Sequence, residues 1–563
     1  MTNCETVQSP ETEKNNDSDT DLVELILKDI GGTFKKFQIL NYILFSLPFA
    51  LSGAFGLSYV FTALNLDYRC LIPECETLET TTFEPDWLKN AVPYQKNKPL
   101  HCQRYAFNGT RHDLFWRSEC IKDDFDSSNI LRCQKFKYRT DEISVLNEFG
   151  LECEENAWLL SMTGTANNIG RFIFMPIMSY LSDRYGRRTI LIVGVFSSAT
   201  FAYIRSFATN YGTFLVFELL DSGIGSVTYS ASFILAMEWI GVKDRVLLGA
   251  IVTATYPFGQ LFLGFSARFV RNFRYLLRII YGPGFLIVLY FWIAPESVRW
   301  LIVNKKKFRL IQTLQRAENI NAMKISEQTW NVFRTKFLQD QSNRNERNDP
   351  SISSSQGYKQ IIQKRIFMMR FLVCAFIWLT SAFVSYGISL TSITLAGDKY
   401  VNFMVIAIAG IPAMPVCYFL MESCGRRWTL CASFIICGTS IIGSKLLPAH
   451  FSVLSITLFF IGKVFITVAF TSLYVYTSEL WPTFMRHSMM GFCSTIGRIG
   501  AIFATLAPLL VTYGEILPYL SFTIMAVLAG LFSLQLPETL HQKLPDTILE
   551  AENLGRSDAD ETS

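Results

Sequence analysis

Among the ionisable residues inside the long apolar runs of this chain, five are candidates for chemistry. Arg498 lies in STIGRIGAI, Lys463 in FIGKVFITVAF, Glu218 and Asp221 in FELLDSGIG, and Arg171 in NNIGRFIF. A charge at the centre of a bilayer costs roughly 2.5–3.5 kcal/mol even on lenient scales, so such groups mark substrate or ion pathways. A guanidinium at 498 attracts a carboxylate and repels an ammonium. Arg171 and Glu218 have opposite signs and are expected to pair across their two runs, leaving Asp221 free to meet an amine. The plainer alternatives are a structural ion pair for Arg498 and a snorkelling stem for Lys463. Trp378, Tyr386, Phe470, Tyr474 and Tyr256 occupy the same class of runs; their ring faces either pack or hold ammonium groups by cation–π attraction.

The elements that must position these groups are read from hydropathy. The chain has 563 residues, half of them hydrophobic and only 17% charged. Runs of about 20 apolar residues are long enough to cross a bilayer. Twelve are expected, at 38–61, 157–179, 189–208, 212–236, 246–267, 275–294, 368–392, 400–421, 429–447, 452–476, 488–511 and 515–536. Residues 1–37 are read as a cytoplasmic N-terminal segment with a short amphipathic helix at the membrane surface over 22–30, residues 295–367 as a cytoplasmic linker and 537–563 as a cytoplasmic tail. Lys and Arg concentrate in the loops this topology puts inside, as the positive-inside rule requires; Arg268, Arg271 and Arg274 stand against it on the outer side. The basic residues flank membrane spans, which gives no support to nucleic-acid binding.

Six of the thirteen cysteines fall in one polar segment, 62–156: Cys70, Cys75, Cys102, Cys120, Cys133 and Cys153. An even count in a non-cytosolic loop predicts three disulfides, with fifteen possible pairings. Asn108-Gly109-Thr110 in that loop is a glycosylation sequon. The other cysteines lack metal-ligand spacing, and no nucleophile elbow or phosphate loop points to an enzyme. No cofactor or metal is implied.

Three motif pairs recur at a nearly constant offset. Gly186-Arg187-Arg188 returns as Gly425-Arg426-Arg427 after 239 residues, Glu238…Arg245 as Glu479…Arg486 after 241, and Pro295-Glu296-Ser297 as Pro537-Glu538-Thr539 after 242. The repeat predicts two six-span halves, 38–294 and 368–536, with a site between them near mid-membrane. The basic turns then either obey topology alone or form a latch. In the latch, Asp183 accepts hydrogen bonds at the start of a helix in the other half, Arg187, Arg188, Glu238 and Arg245 pair in the outward-open state, and Glu422, Arg426, Arg427, Glu479 and Arg486 do the same in the second half, with Arg184 among the gating residues.

DYRC at 67–70, CQRY at 102–105, NEFGLEC at 147–153, SDRYGRR at 182–188, PESVRWL at 295–301, YTSELWPTFMR at 476–486 and LPETLHQKLPDTI at 536–548 carry a family resemblance. The chain resembles the organic cation, organic anion and carnitine transporters, solute carrier family 22 of the major facilitator superfamily. The resemblance implies an all-α membrane protein with the major facilitator fold, twelve transmembrane helices in two six-helix pseudo-repeats, at the plasma membrane, with a monomer sufficient for transport. It implies a basic residue at position 498 in the anion and carnitine branches and an acidic one in the classical cation branch. The eighth span departs from both branches, with Met414 and Gly410, and the first half departs through Arg171, Glu218 and Asp221. The expected activity is alternating-access transport of small organic anions or zwitterions, carnitine-like or amino-acid-derived. The alternatives are an organic cation carrier built on Asp221 and Glu218 and a non-transporting membrane sensor. Sodium, a proton or an exchanged anion remains open as the coupling ion.

Overall fold

In the computed structural model, the described residues are 25–32, 34–76, 82–95, 98–108, 120–240, 244–331, 364–395, 397–482, 485–540, 542, 545 and 548–554. Each of the twelve apolar runs lies on helix. The first half holds span one (Lys36–Thr62), two (Ala157–Tyr185), three (Arg187–Arg205), four (Tyr211–Gly225 continued by Val227–Glu238), five (Arg245–Phe269) and six (Phe273–Ile293). The second holds span seven (Arg365–Thr394), eight (Lys399–Cys424), nine (Arg426–Leu446), ten (Ser452–Leu480), eleven (Arg486–Leu506) and twelve (Leu517–Ser533). Among the described residues, eight helices are long and apolar enough to cross a membrane by length and composition. Spans two, three and four fall short of that measure because they carry the buried polar and charged residues, and span twelve because it is shorter.

One apolar core runs through residues 26–325 and takes in Tyr400 and Phe403; a second runs through 367–551. Two local expectations are corrected. The basic knots are not loops: span two stays helical through Ser182-Asp183-Arg184-Tyr185, and a single glycine, Gly186, separates it from span three, as Gly425 separates eight from nine. Both glycines have positive φ (105° and 85°), which any other residue adopts only with strain. The N-terminal helix is not a surface anchor: Ile26, Leu27 and Ile30 are buried, and the Asp29 carboxylate accepts from Ser326 and Thr329.

Among the described residues, the segment between spans one and two holds three two-stranded sheets and its own small core. Disulfides join Cys70–Cys133, Cys75–Cys120 and Cys102–Cys153, with Cα separations of 5.6, 5.9 and 5.7 Å. Asn108 is exposed at the end of the strand Gln103–Phe107; its sequon partner Thr110 lies outside the described residues. Arg69 is buried and makes a bidentate pair with Glu76 (2.5 and 2.7 Å), and Lys137 approaches the same carboxylate at 3.4 Å. Two of the three arginines between spans five and six find partners: Arg268 pairs with Asp398 at 3.3 Å, and Arg274 pairs with Glu148 and donates to the Ser206 and Ala208 carbonyls.

Burial alone would raise the Glu76 pKa; the hydrogen bonds from Arg69 and the Ile72 N–H, with the charges of Arg69 and Lys137, outweigh it and hold the carboxyl below its usual range. Its contribution to stability is therefore complete above the ordinary glutamate pKa of about 4.3 and is lost as pH falls through the lowered folded value. Arg69→Met, which leaves the Glu76 carboxylate buried without its main partner, is expected to cost about 3–5 kcal/mol. Thermal unfolding of the detergent-solubilised protein, followed at neutral and acidic pH, checks this: the gap between variant and wild type should narrow once Glu76 is protonated.

Candidate functional site

Arg205 determines the electrostatics of the first half. It ends span three and is fully buried, ion-paired to the buried Glu218 of span four, with Asp221 Oδ2 at 3.3 Å. Asn167 of span two donates to Glu218 Oε1 at 2.6 Å, and the Ser198 hydroxyl donates to Asp221. The guanidinium lies over the rings of Phe214 and Tyr281, 5.4 and 5.8 Å from their centroids. The expected pair between Arg171 and Glu218 does not form, because span three supplies the closer cation. Nor is Asp221 free to receive an amine: it is 1% exposed and faces Arg205 and Ser198. The signal was in the sequence, since Arg205 stands inside the third apolar run.

Arg171 is left without a carboxylate. Its Nε has no hydrogen-bond partner, and its neighbours are the phenols of Tyr386, Tyr256, Tyr59 and Tyr281. A methyl group on Gly56 of span one would stand 3.3 Å from Arg171 Nη2 and 3.2 Å from the Tyr256 hydroxyl, so the backbone of span one must be bare there to admit both. Arg498 of span eleven touches Met175 Sδ of span two and is surrounded by Tyr386, Tyr474 and Tyr229, with Arg171 next in reach. Two guanidiniums, one from each half, thus share Tyr386. Among the described residues neither makes an ion pair. Tyr229 and Tyr256 stand 5.9 Å apart, and Phe49 packs 4.7 Å from Tyr229.

Two of the expected substrate contacts lie behind this chamber. Trp378 is 1% exposed; its Nε1–H donates to Thr477 at 3.0 Å and its ring backs Tyr474 and Phe470 at 4.5 and 5.8 Å. Lys463 is buried, and its ammonium donates to the Ser385 carbonyl at 2.9 Å and to Ser389 Oγ at 2.8 Å. The polar atoms of both groups are satisfied within the second half, and Lys463 braces the helix turn that carries Tyr386. Tyr229, exposed beside Arg498, was not singled out by sequence reasoning, which has no means of telling an accessible phenol from a packed one such as the buried Tyr59.

The repeated motifs converge on one arrangement in each half. In the first, Arg187 pairs with Glu238 at 3.1 Å and with Asp183 at 3.6 Å, and the Arg188 N–H donates to Glu296 at 3.0 Å. In the second, Arg426 pairs with Glu479 at 3.2 Å and lies 4.0 Å from Glu422, while the Arg426 and Arg427 N–H groups donate to Glu538 at 2.8 and 3.1 Å. Each glutamate after a proline caps the helix that the glycine starts, where the helix dipole favours an anion. Arg184 lies over Tyr185, and Arg486 leaves Nε and Nη2 without hydrogen-bond partners. The Arg245 side chain lies outside the described residues. Among the described residues these pairs stay within their halves, so the expected contact of Asp183 with the other half is absent in this state.

At the opposite end the halves are joined. Thr165 and Thr505 hydrogen-bond at 2.8 Å, Glu142 accepts from Lys399 at 2.5 Å and Tyr400 at 2.9 Å, and Phe61 packs on Tyr400 and Phe403. The disulfide-bonded end is closed. Glu142→Ala removes the acceptor for both Lys399 and Tyr400 and is expected to shift the population toward opening at that end. Labelling of a Tyr386→Cys reporter by an impermeant thiol reagent added on that side checks this: it should be several-fold faster with Glu142→Ala.

Comparison with known proteins follows the same lines. The family model described as Sugar (and other) transporter matches residues 129–547. The chain is 28% identical over 527 residues to organic cation/carnitine transporter 2 of Homo sapiens, covering 92% of each. It is 28% identical over 543 residues to solute carrier family 22 member 3 of Mus musculus, covering 94% of this chain and 95% of that one. The organic cation transporter protein of Drosophila melanogaster is 26% identical over 540 residues, covering 94% of each. Among solved structures, the partially occluded inward open conformation of the xylose transporter XylE from E. coli aligns with a TM-score of 0.55 at 14% identity, covering 89% of this chain and 99% of that one. At that identity the likeness concerns the fold.

Proposed function

The chain belongs to the sugar (and other) transporter family and, within the major facilitator superfamily, to solute carrier family 22, and from that premise we propose that it carries small organic anions by alternating access. A membrane transporter of organic ions is the common ground of its relatives. The observation that carries the anionic reading is the pair of uncompensated guanidiniums, Arg171 and Arg498, in a chamber otherwise lined by phenols. A carboxylate placed there gains charge-assisted hydrogen bonds from one or both arginines, and the Tyr256, Tyr386 and Tyr474 hydroxyls add uncharged donors. The first-half carboxylates that would hold an amine are taken by Arg205, which weighs against a cation carrier built on Asp221 and Glu218.

The reading takes 38–294 and 368–536 as the two moving bundles, 295–367 as the linker between them, and both termini as cytoplasmic in a plasma-membrane protein that works as a monomer. The intra-half clusters at Arg187 and Arg426 then hold each bundle rigid while the opposite end opens. The names of the relatives favour a second reading, transport of organic cations or carnitine. On it the quaternary ammonium group would rest on the rings of Tyr474 and Phe470 by cation–π attraction, and a zwitterion would still place its carboxylate at Arg498.

Uptake into liposomes of radiolabelled glutarate, carnitine and tetraethylammonium separates the readings. Saturable glutarate uptake is expected, with Arg498→Ala and Arg171→Ala each raising KM about 10- to 100-fold, the cost of one lost charged hydrogen-bonded contact. Saturable uptake of tetraethylammonium alone overturns the anionic reading, and no saturable flux of any of the three favours the sensor.

A further inference from the structure

The network beneath Arg205 holds more carboxylates than it holds cations. Glu218 and Asp221 are 0% and 1% exposed and share one guanidinium, that of Arg205, itself 0% exposed. Glu218 takes the ion pair and the Asn167 amide. Asp221 keeps the lesser share: Ser198 donates to Oδ1, while Oδ2, 3.3 Å from Arg205 Nη1, has no hydrogen-bond partner. Two buried anions against one cation leave a net negative charge in low dielectric, which is costly unless a proton or a further cation cancels it. The groups facing Asp221 are Arg205 and Ser198 from span three, Glu218 from its own span and the Tyr281 hydroxyl from span six. None of these is a second cation.

Tyr281 connects this network to the chamber. Its hydroxyl stands 3.2 Å from Ser58 Oγ of span one, its ring stacks on Phe55 at 4.3 Å, and it neighbours both Asp221 and Arg171. Arg171 and Asp221 thus share Tyr281 as a neighbour, and Arg171 is also one of the two groups that the proposed function offers to the substrate.

We propose that Asp221 is a proton-binding site that couples anion movement to proton movement in the same direction. The inference rests on the reading of the chamber as an anion site. With Asp221 ionised, the network carries one uncompensated negative charge that draws on the field of Arg171 and disfavours an anion beside it. A proton added to Oδ2 leaves Arg205 and Glu218 as a balanced pair and returns the charge of Arg171 to the chamber. Proton and substrate anion each favour the binding of the other, and by linkage the coupling is reciprocal. The proton enters at Oδ2, which has no other hydrogen-bond partner, and leaves from the same oxygen when the anion departs.

The test uses the full-length protein in liposomes with radiolabelled glutarate. Three measurements are made: glutarate exchange at equal pH on both sides, net uptake under an outside-acid gradient, and acidification of the lumen reported by a trapped pH-sensitive dye. The expected result is exchange at equal pH, uptake raised several-fold by the gradient, and acidification on glutarate addition. Asp221→Asn should keep exchange and lose both proton-linked effects; Asp221→Glu should restore part of each. Exchange that proceeds normally while uptake ignores the gradient and the lumen does not acidify overturns the proton site and leaves the anion reading standing. Gradient stimulation retained in Asp221→Asn overturns it equally. Absence of glutarate exchange in the wild type overturns the anion reading and this inference with it. Should the asparagine variant fail to assemble, the wild-type acidification measurement decides by itself.

Discussion

The ion pair between Arg205 and Glu218, with Asp221 beside it, is the interaction on which the character of the central chamber depends. A charge within the hydrocarbon layer must find a partner or face water, and the first half contains two acids and two bases that can be matched in more than one way. Span three brings Arg205 to Glu218 from the closed end of the bundle, and Asn167 fixes the carboxylate from the other side. Once that match is made, Arg171 has no acid left and points among phenols instead. A cavity that would have been mixed in sign becomes positive.

The paired clusters at the far end perform a different task. Gly186 and Gly425 turn the chain so sharply that the following helix begins against a glutamate supplied by the end of its own half, Glu296 or Glu538. The adjacent arginine reaches back to Glu238 or Glu479. Each cluster ties the second, fourth and sixth spans of one half into a unit, and the near-identity of the two arrangements explains why three separate motifs recur at one offset. A half fastened in this way moves as a body, which is the mechanical condition for a site that is exposed to one side at a time.

How much of this was legible follows from what each signal measures. Hydropathy reports burial in lipid, so it located all twelve runs but misjudged the knots, where Asp183 and Arg184 were taken for loop residues although the helix continues beneath them. Sign complementarity proposed a partner for Glu218 but could not rank Arg171 against Arg205, because the choice depends on how spans two, three and four rotate about their axes. The parity of the loop cysteines gave three bridges and not their connectivity, which only the three-dimensional path of the chain between them decides. Tyr229 and the buried Tyr59 were indistinguishable, since a tyrosine in an apolar run has the same sequence signature whether its hydroxyl faces packed helices or open space. Lys463 misled for the opposite reason: a buried ammonium can be satisfied by carbonyl and hydroxyl groups of a neighbouring span, and here Ser385 and Ser389 satisfy it.

On the proposed anionic reading, the distribution of the two arginines between halves has a consequence for the transport cycle itself. Arg171 belongs to the first half and Arg498 to the second, and they are neighbours across the chamber with Tyr386 between them. Closing the chamber around nothing brings like charges together in a space that is losing water, and the effective dielectric falls as it does so, so their repulsion grows. An anion between them reverses the sign of that energy: both guanidiniums are attracted to it, and the halves are drawn together through it. The free energy of binding is thereby directed at the occluded state, the one that must be crossed for the site to change sides. A carrier with both cations in one half would bind an anion as tightly without this effect, because neither charge would resist or assist the approach of the other half.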